Sequence, residues 1–159
     1  MSRRETVRDW IAVALDTIQT SGGYRTDPII HKHFTYPTAG EQTHICVIMD
    51  NESWVARDDN MTDFDSEIKV VVLGRFNAAV SFSGKEPVSG AESDGEALLQ
   101  DMKKVVYGLM LAEINSSSNR RYIMGAKGVQ CFGPTYYPGN QGEVRIEFFV
   151  KIYSQDGDM

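Results

Sequence analysis

Few residues in this chain have both the type and the spacing that chemistry needs. His31-Lys32-His33 puts two imidazoles two positions apart, on one side of an extended chain, as in some metal sites. No Asp, Glu or Cys lies at a companion spacing, so solvated histidines are the plainer reading. His44 and Cys46 are also two apart and would share a strand face, the arrangement of a thiol nucleophile beside its base. No helix start or orienting residue flanks that pair. Asp58, Asp59, Asp63 and Asp65 crowd together, but they lack the alternate spacing, mid-loop Gly and closing Glu of a calcium loop. They read as a solvated acidic loop. There is no GxxxxGK[ST] or GxGxxG phosphate cradle, and Arg120-Arg121 is a lone basic pair. Catalytic, metal and cofactor-binding residues are therefore expected to number none, and no enzyme is expected.

The elements around these residues are clearer. Val7, Trp10, Ile11, Ala14, Leu15 and Ile18 are spaced three and four apart, which predicts an amphipathic helix from Arg4 to Thr20, stopped by Ser21-Gly22-Gly23. Tyr24 to Pro37 has no period and reads as a connection, with a short extended piece around Ile29 and Ile30. Thr43 to Met49 is apolar on both faces and β-branched, as a central strand would be. Glu67 to Asn77 predicts a second strand antiparallel to it. Ser93-Asp94-Gly95-Glu96 is a capping box, and Leu98, Met102, Val105 and Leu109 carry the stripe of the helix it opens. Tyr122 to Phe132 is a weaker strand, loosened by Gly125 and Gly128. Last, Val144, Ile146, Phe148, Val150 and Ile152 alternate with Glu143, Arg145, Glu147 and Lys151, the pattern of a strand with one buried face. On that second face Phe149 and Tyr153 break the run of charge.

The predicted fold is α+β: a four-stranded, mainly antiparallel sheet with two helices packed on one face, in the order α-β-β-α-β-β. One domain over 1–159 is expected, with long loops at 50–66 and 81–95. Hydrophobic residues make up 42% and charged residues 24%, ordinary values for a soluble domain, and no apolar run spans a bilayer. No signal peptide is predicted, because Asp9 and Asp16 interrupt the early apolar positions. A formal charge of −6 argues against a dedicated nucleic-acid binder, which needs clustered Lys and Arg. Cys46 and Cys131 lie in apolar runs and are both expected as buried free thiols.

The layout as a whole resembles the tail-terminator, or tail-completion, family of long-tailed bacteriophages. Nearly the full chain takes part: Gly22-Gly23-Tyr24-Arg25-Thr26-Asp27-Pro28 after the first helix; Ile45 to Met49 running into Asp50-Asn51-Glu52; Val70 to Arg75; the helix Ala97 to Lys104; and Tyr137-Pro138-Gly139 leading into Val144 to Tyr153. The marks are ones of layout, with no catalytic signature to carry over. The segments Asp50 to Ser66 and Asn115 to Tyr122 look longer than the family pattern.

The resemblance implies a homo-oligomeric ring, usually of six subunits, that caps the tail tube, stops its polymerisation and meets a neck or head-completion protein. Residence would be in the virion, at the head-tail junction, after assembly in the host cytoplasm, with no cofactor and no membrane partner. DNA would pass through the lumen without specific binding, and six chains at −6 give a formal −36 that would not grip phosphate. Trp54, Phe149, Tyr153, Tyr136 and Tyr137 are the candidate contacts to a neighbour or to the tube. Asp58, Asp59, Asp63 and Asp65 are the candidates for the lumen or subunit contacts. Another neck or head-completion protein is the alternative; a small ligand-binding or catalytic α+β domain using the His44 and Cys46 face is a further one.

Overall fold

The computed structural model describes residues 3–18, 28–33, 43–56, 63–77, 94–115, 125–138 and 141–155. In chain order they form α1 (Arg3–Leu15), β1 (Ile29–His31), β2 (His44–Ala56), β3 (Asp63–Asn77), α2 (Asp94–Asn115), β4 (Gly125–Tyr137) and β5 (Gln141–Gln155). The strands make one sheet in the order β1-β2-β3-β5-β4. The class is α+β with two helices, but the sheet is mixed and has five strands, not four. The added strand is β1, a three-residue piece that runs parallel to β2. Its shortness explains the difference: three residues show no period to read.

One face of the sheet carries the core. Ile45 and Val47 of β2, Ile68, Val70 and Val72 of β3, and Val144, Ile146, Phe148 and Val150 of β5 are all buried. They fall at alternate positions and line up across the ladders, Val47 beside Val72 and Val72 beside Ile146. Over them lie Val7, Ile11 and Leu15 of α1 and Leu98, Met102 and Val106 of α2, in the same cluster. Each such side chain contributes about 1.5–3 kcal/mol by leaving water, which sets the register of the central strands.

Several boundaries differ from expectation. α1 stops at Leu15, earlier than predicted; past it the Thr17 and Ile18 amides donate three residues back, to the Ala14 and Leu15 carbonyls, and the Thr17 hydroxyl adds a 2.7 Å bond to Ala14. The Ser21-Gly22-Gly23 stop and Ser93 of the capping box lie outside the described residues, as does nearly all of the expected loop 81–95. The expected loop 50–66 is mostly strand: β2 continues to Ala56 and β3 starts at Asp63, and they pair as far as Ala56 beside Phe64. Cross-strand pairing supplies the order that the polar residues do not signal. A bulge between Met49 and Glu52 keeps the apolar alternation in step across that polar stretch.

Candidate functional site

The sheet face away from the helices is closed by its own charges. Arg75 and Glu143 sit opposite one another on β3 and β5 and pair at 3.2 Å. Glu147 receives Lys69 at 3.2 Å and Arg145 at 3.8 Å. The Arg145 guanidinium also lies 4.4 Å from the Phe132 ring centroid. Beneath these long side chains Val71, Leu73 and Cys46 are buried. Aliphatic stems of Lys and Arg cover apolar surface while the heads stay wet, so this face is shielded rather than bare.

The exposed apolar surface lies instead along β4. From Gly128 to Tyr137 every residue except Pro134 is exposed, including Val129, Phe132, Tyr136 (54%) and Tyr137 (50%). On the helix side a groove of about 210 Å³ opens between α2 and β4, lined by Lys103, Val106, Tyr107, Val129, Cys131 and Ile146. Cys131 is thus an exposed thiol, against expectation, because β4 is the last strand of the sheet among the described residues. Cys46 is buried as expected.

Phe149, expected to stand bare on the second sheet face, is half-buried. β4 bulges between Lys127 and Gln130, and Gly128 there adopts a positive φ of 65°, a conformation side chains resist. That turns the Gly128 backbone onto the ring, with its Cβ position only 3.4 Å from Phe149 Cδ2. Tyr136 and Tyr137 end β4, and Tyr136 meets the Phe76 ring edge to face with centroids 6.3 Å apart. Trp54 lies in β2 and Tyr153 in β5; their side chains are outside the described set. Asp63 and Asp65 belong to β3 and are not loop residues; the register sets Asp65 between Val55 and Tyr153. Asp58 and Asp59 lie outside the described residues.

The histidines, read as solvated, form a pair that neither sequence spacing singles out. Parallel pairing sets β1 beside the start of β2, and His31 Nε2 lies 2.9 Å from His44 Nδ1. The rings are nearly coplanar, 17° apart, with centroids 5.2 Å apart. That separation equals the N–N distance plus the two ring radii, the largest value that distance allows, so the nitrogens face each other in line. In-line geometry suits one shared proton and not a metal, which would need both lone pairs turned toward a common point. Among the described residues no three His, Cys, Asp or Glu side chains converge on one point. His33 stands farther off, its ring centroid 6.3 Å from that of His31. Burial holds His31 below the ordinary imidazole range, helped by the nearby His33; burial does the same to His44, helped by His31. With His44 Nδ1 engaged by His31 and Cys46 buried, a thiol-imidazole arrangement of His44 and Cys46 has no exposed nucleophile. A contact between two sequence-distant histidines has no local signature, and only the pairing of β1 creates it.

Beside them Lys32 reaches Asp9 on α1 at 3.1 Å, holding that carboxyl below its usual range and tying β1 to the helix layer. No protein-family model matches the sequence, and no curated protein is similar to it.

Proposed function

We propose that this chain is a structural assembly subunit of the tail-terminator kind. Copies form a ring, six in the expected case, that caps a tail tube, stops its polymerisation and joins the tail to the head or neck while DNA passes through the lumen. The chain acts without catalysis, and its surfaces are built for other protein surfaces.

The observation that carries this reading is the exposed β4 strand with Val129, Phe132, Tyr136 and Tyr137 along it. A long strand edge dressed with aromatics is a liability unless another chain covers it. When one surface of a subunit meets a different surface of the next, a rotation that closes makes a ring. The paired charges of the second sheet face also fit, since ion pairs consumed within the subunit leave little to hold phosphate.

Size-exclusion chromatography with light scattering, and negative-stain images with and without tube protein, test the reading. A closed ring that seats on tube ends and limits tube length is the expected result. A strictly monomeric protein that neither binds tube ends nor changes tube length overturns it. Binding to portal or neck components in place of the tube would assign the chain to the neck or head-completion alternative.

A further inference from the structure

β1 is the shortest strand of the sheet and lies at its end, so among the described residues it pairs with β2 alone. Its ladder runs from Ile29 beside His44 to His31 beside Cys46. The Ile29 amide donates to the Thr43 carbonyl at 2.9 Å, and Ile30 packs against the core cluster. Two side-chain ties add to these: Lys32 to Asp9 of α1 at 3.1 Å, and His31 Nε2 to His44 Nδ1 at 2.9 Å. The first tie does not titrate near neutrality, because the bond from Lys32 keeps the Asp9 carboxyl charged. The second does.

We infer that the His31–His44 contact is an acid-released latch: full protonation of the pair parts the rings and frees β1 from the edge of β2 while the rest of the sheet stays folded. The latch lies within one chain and needs no second copy, so it stands apart from the ring reading.

Proton counting supplies the trigger. Two neutral imidazoles carry two protons on four ring nitrogens, and one of those protons lies in the contact. A third proton binds a nitrogen that faces away and leaves the contact whole. A fourth can bind only the accepting nitrogen of the contact. Two N–H groups would then point at one another between two cations, and the hydrogen bond is replaced by repulsion.

The surroundings oppose that last proton. His33 stands beside His31. Lys32 and His33 line a hollow with Arg4, Glu5 and Arg8 of α1, and Arg8 and Lys32 share the same oxygen of Asp9. On β3, Arg75 is the register neighbour of His44 and is paired to Glu143 of β5. Burial disfavours the charged form of both rings, and a neighbouring histidine adds to the effect on each. The latched pair therefore binds fewer protons than the released strand. Its hold is complete at neutral pH and is lost as pH falls below about 6.5, the ordinary imidazole value.

The test follows the Ile29 amide by NMR hydrogen exchange in the full chain, from about pH 7.5 to about pH 5, corrected for the intrinsic rate, with the histidine ring nitrogens titrated alongside. Protection of Ile29 should fall by about tenfold or more, in step with the last proton taken up by the pair. Val72, in the middle of the sheet, should stay at least about a hundredfold better protected than Ile29 throughout. His31→Gln with His44→Gln should remove the pH dependence, whatever level of protection it leaves, and His33→Gln should keep it. Four results would each overturn the latch: an Ile29 amide unprotected at neutral pH, protection that changes by less than about twofold, protection equal to that of Val72, or pH dependence that survives the double variant or vanishes with His33→Gln. The wild-type exchange needs no variant, so a misfolded mutant cannot mask the answer.

Discussion

Gly142 is where a single added methyl group should be felt most, and the cost can be worked from its neighbours. It sits in β5 between Phe76 of β3 and Tyr136 of β4, and the Phe76 ring lies directly over its backbone. A Cβ there would fall inside the van der Waals envelope of Phe76 Cζ and Cε2, with Cε1 at 3.0 Å. The ring has little room to retreat, because a Cβ at Gly95 on α2 would also come within 2.7 Å of its Cζ, and Pro134 flanks the same spot. Overpacking a closed site costs about 1–3 kcal/mol, and a pinned ring puts Gly142→Ala in the upper part, about 2–3 kcal/mol. For a chain of this size that is a fall in Tm of roughly 4–12 °C. The diagnostic is the cycle with Phe76→Leu, which removes the offending ring atoms at its own cost. In that background Gly142→Ala should be milder by more than about 1 kcal/mol. Urea melts of the four proteins measure it. Equal costs in both backgrounds, within about 0.5 kcal/mol, would refute the reasoning that the ring fills the space above Gly142.

Other expectations follow from the same contacts. The folded His31 and His44 rings resist protonation, so below about pH 6.5 the unfolded chain binds more protons and stability falls with pH. The slope is up to about 1.36 kcal/mol per pH unit for each ring that stays neutral, and His31→Gln with His44→Gln should flatten it between pH 7.5 and 5.5; an unchanged slope in that variant removes the pair as the cause. A thiol reagent should label one cysteine per native chain, Cys131, and reach Cys46 only after unfolding; rapid labelling of both would contradict the burial of Cys46. Tyr137→Asp should weaken ring assembly while leaving the monomer melt nearly unchanged, since the side chain is half exposed; normal rings from this variant would remove Tyr137 from the interface. Gly128→Ala should cost about 1 kcal/mol through its left-handed backbone, and a neutral result would mean that the bulge relaxes.

The pattern of agreement follows the range of the forces involved. Residues 144, 146, 148 and 150 were legible as one buried face because alternation is a local property of an extended chain, and α2 was legible because its stripe recurs from Leu98 to Leu109. The stretch Asp50 to Ser66 misled for the same reason: its polar residues match a loop, and its strand character comes from pairing with the chain that follows. Phe149 looked bare until the bulge at Gly128 laid backbone over it, and Cys131 looked buried until β4 proved to be the outermost strand.

By itself, the sequence determined the helix and strand types, the buried faces and the α+β class, because periodicity and side-chain hydrophobicity act on neighbours along the chain. Only the tertiary structure decided which strands became edges, that His31 would meet His44, and that the charges of the second face would neutralise one another. Those outcomes depend on which distant segments lie side by side, and no spacing within one segment encodes that.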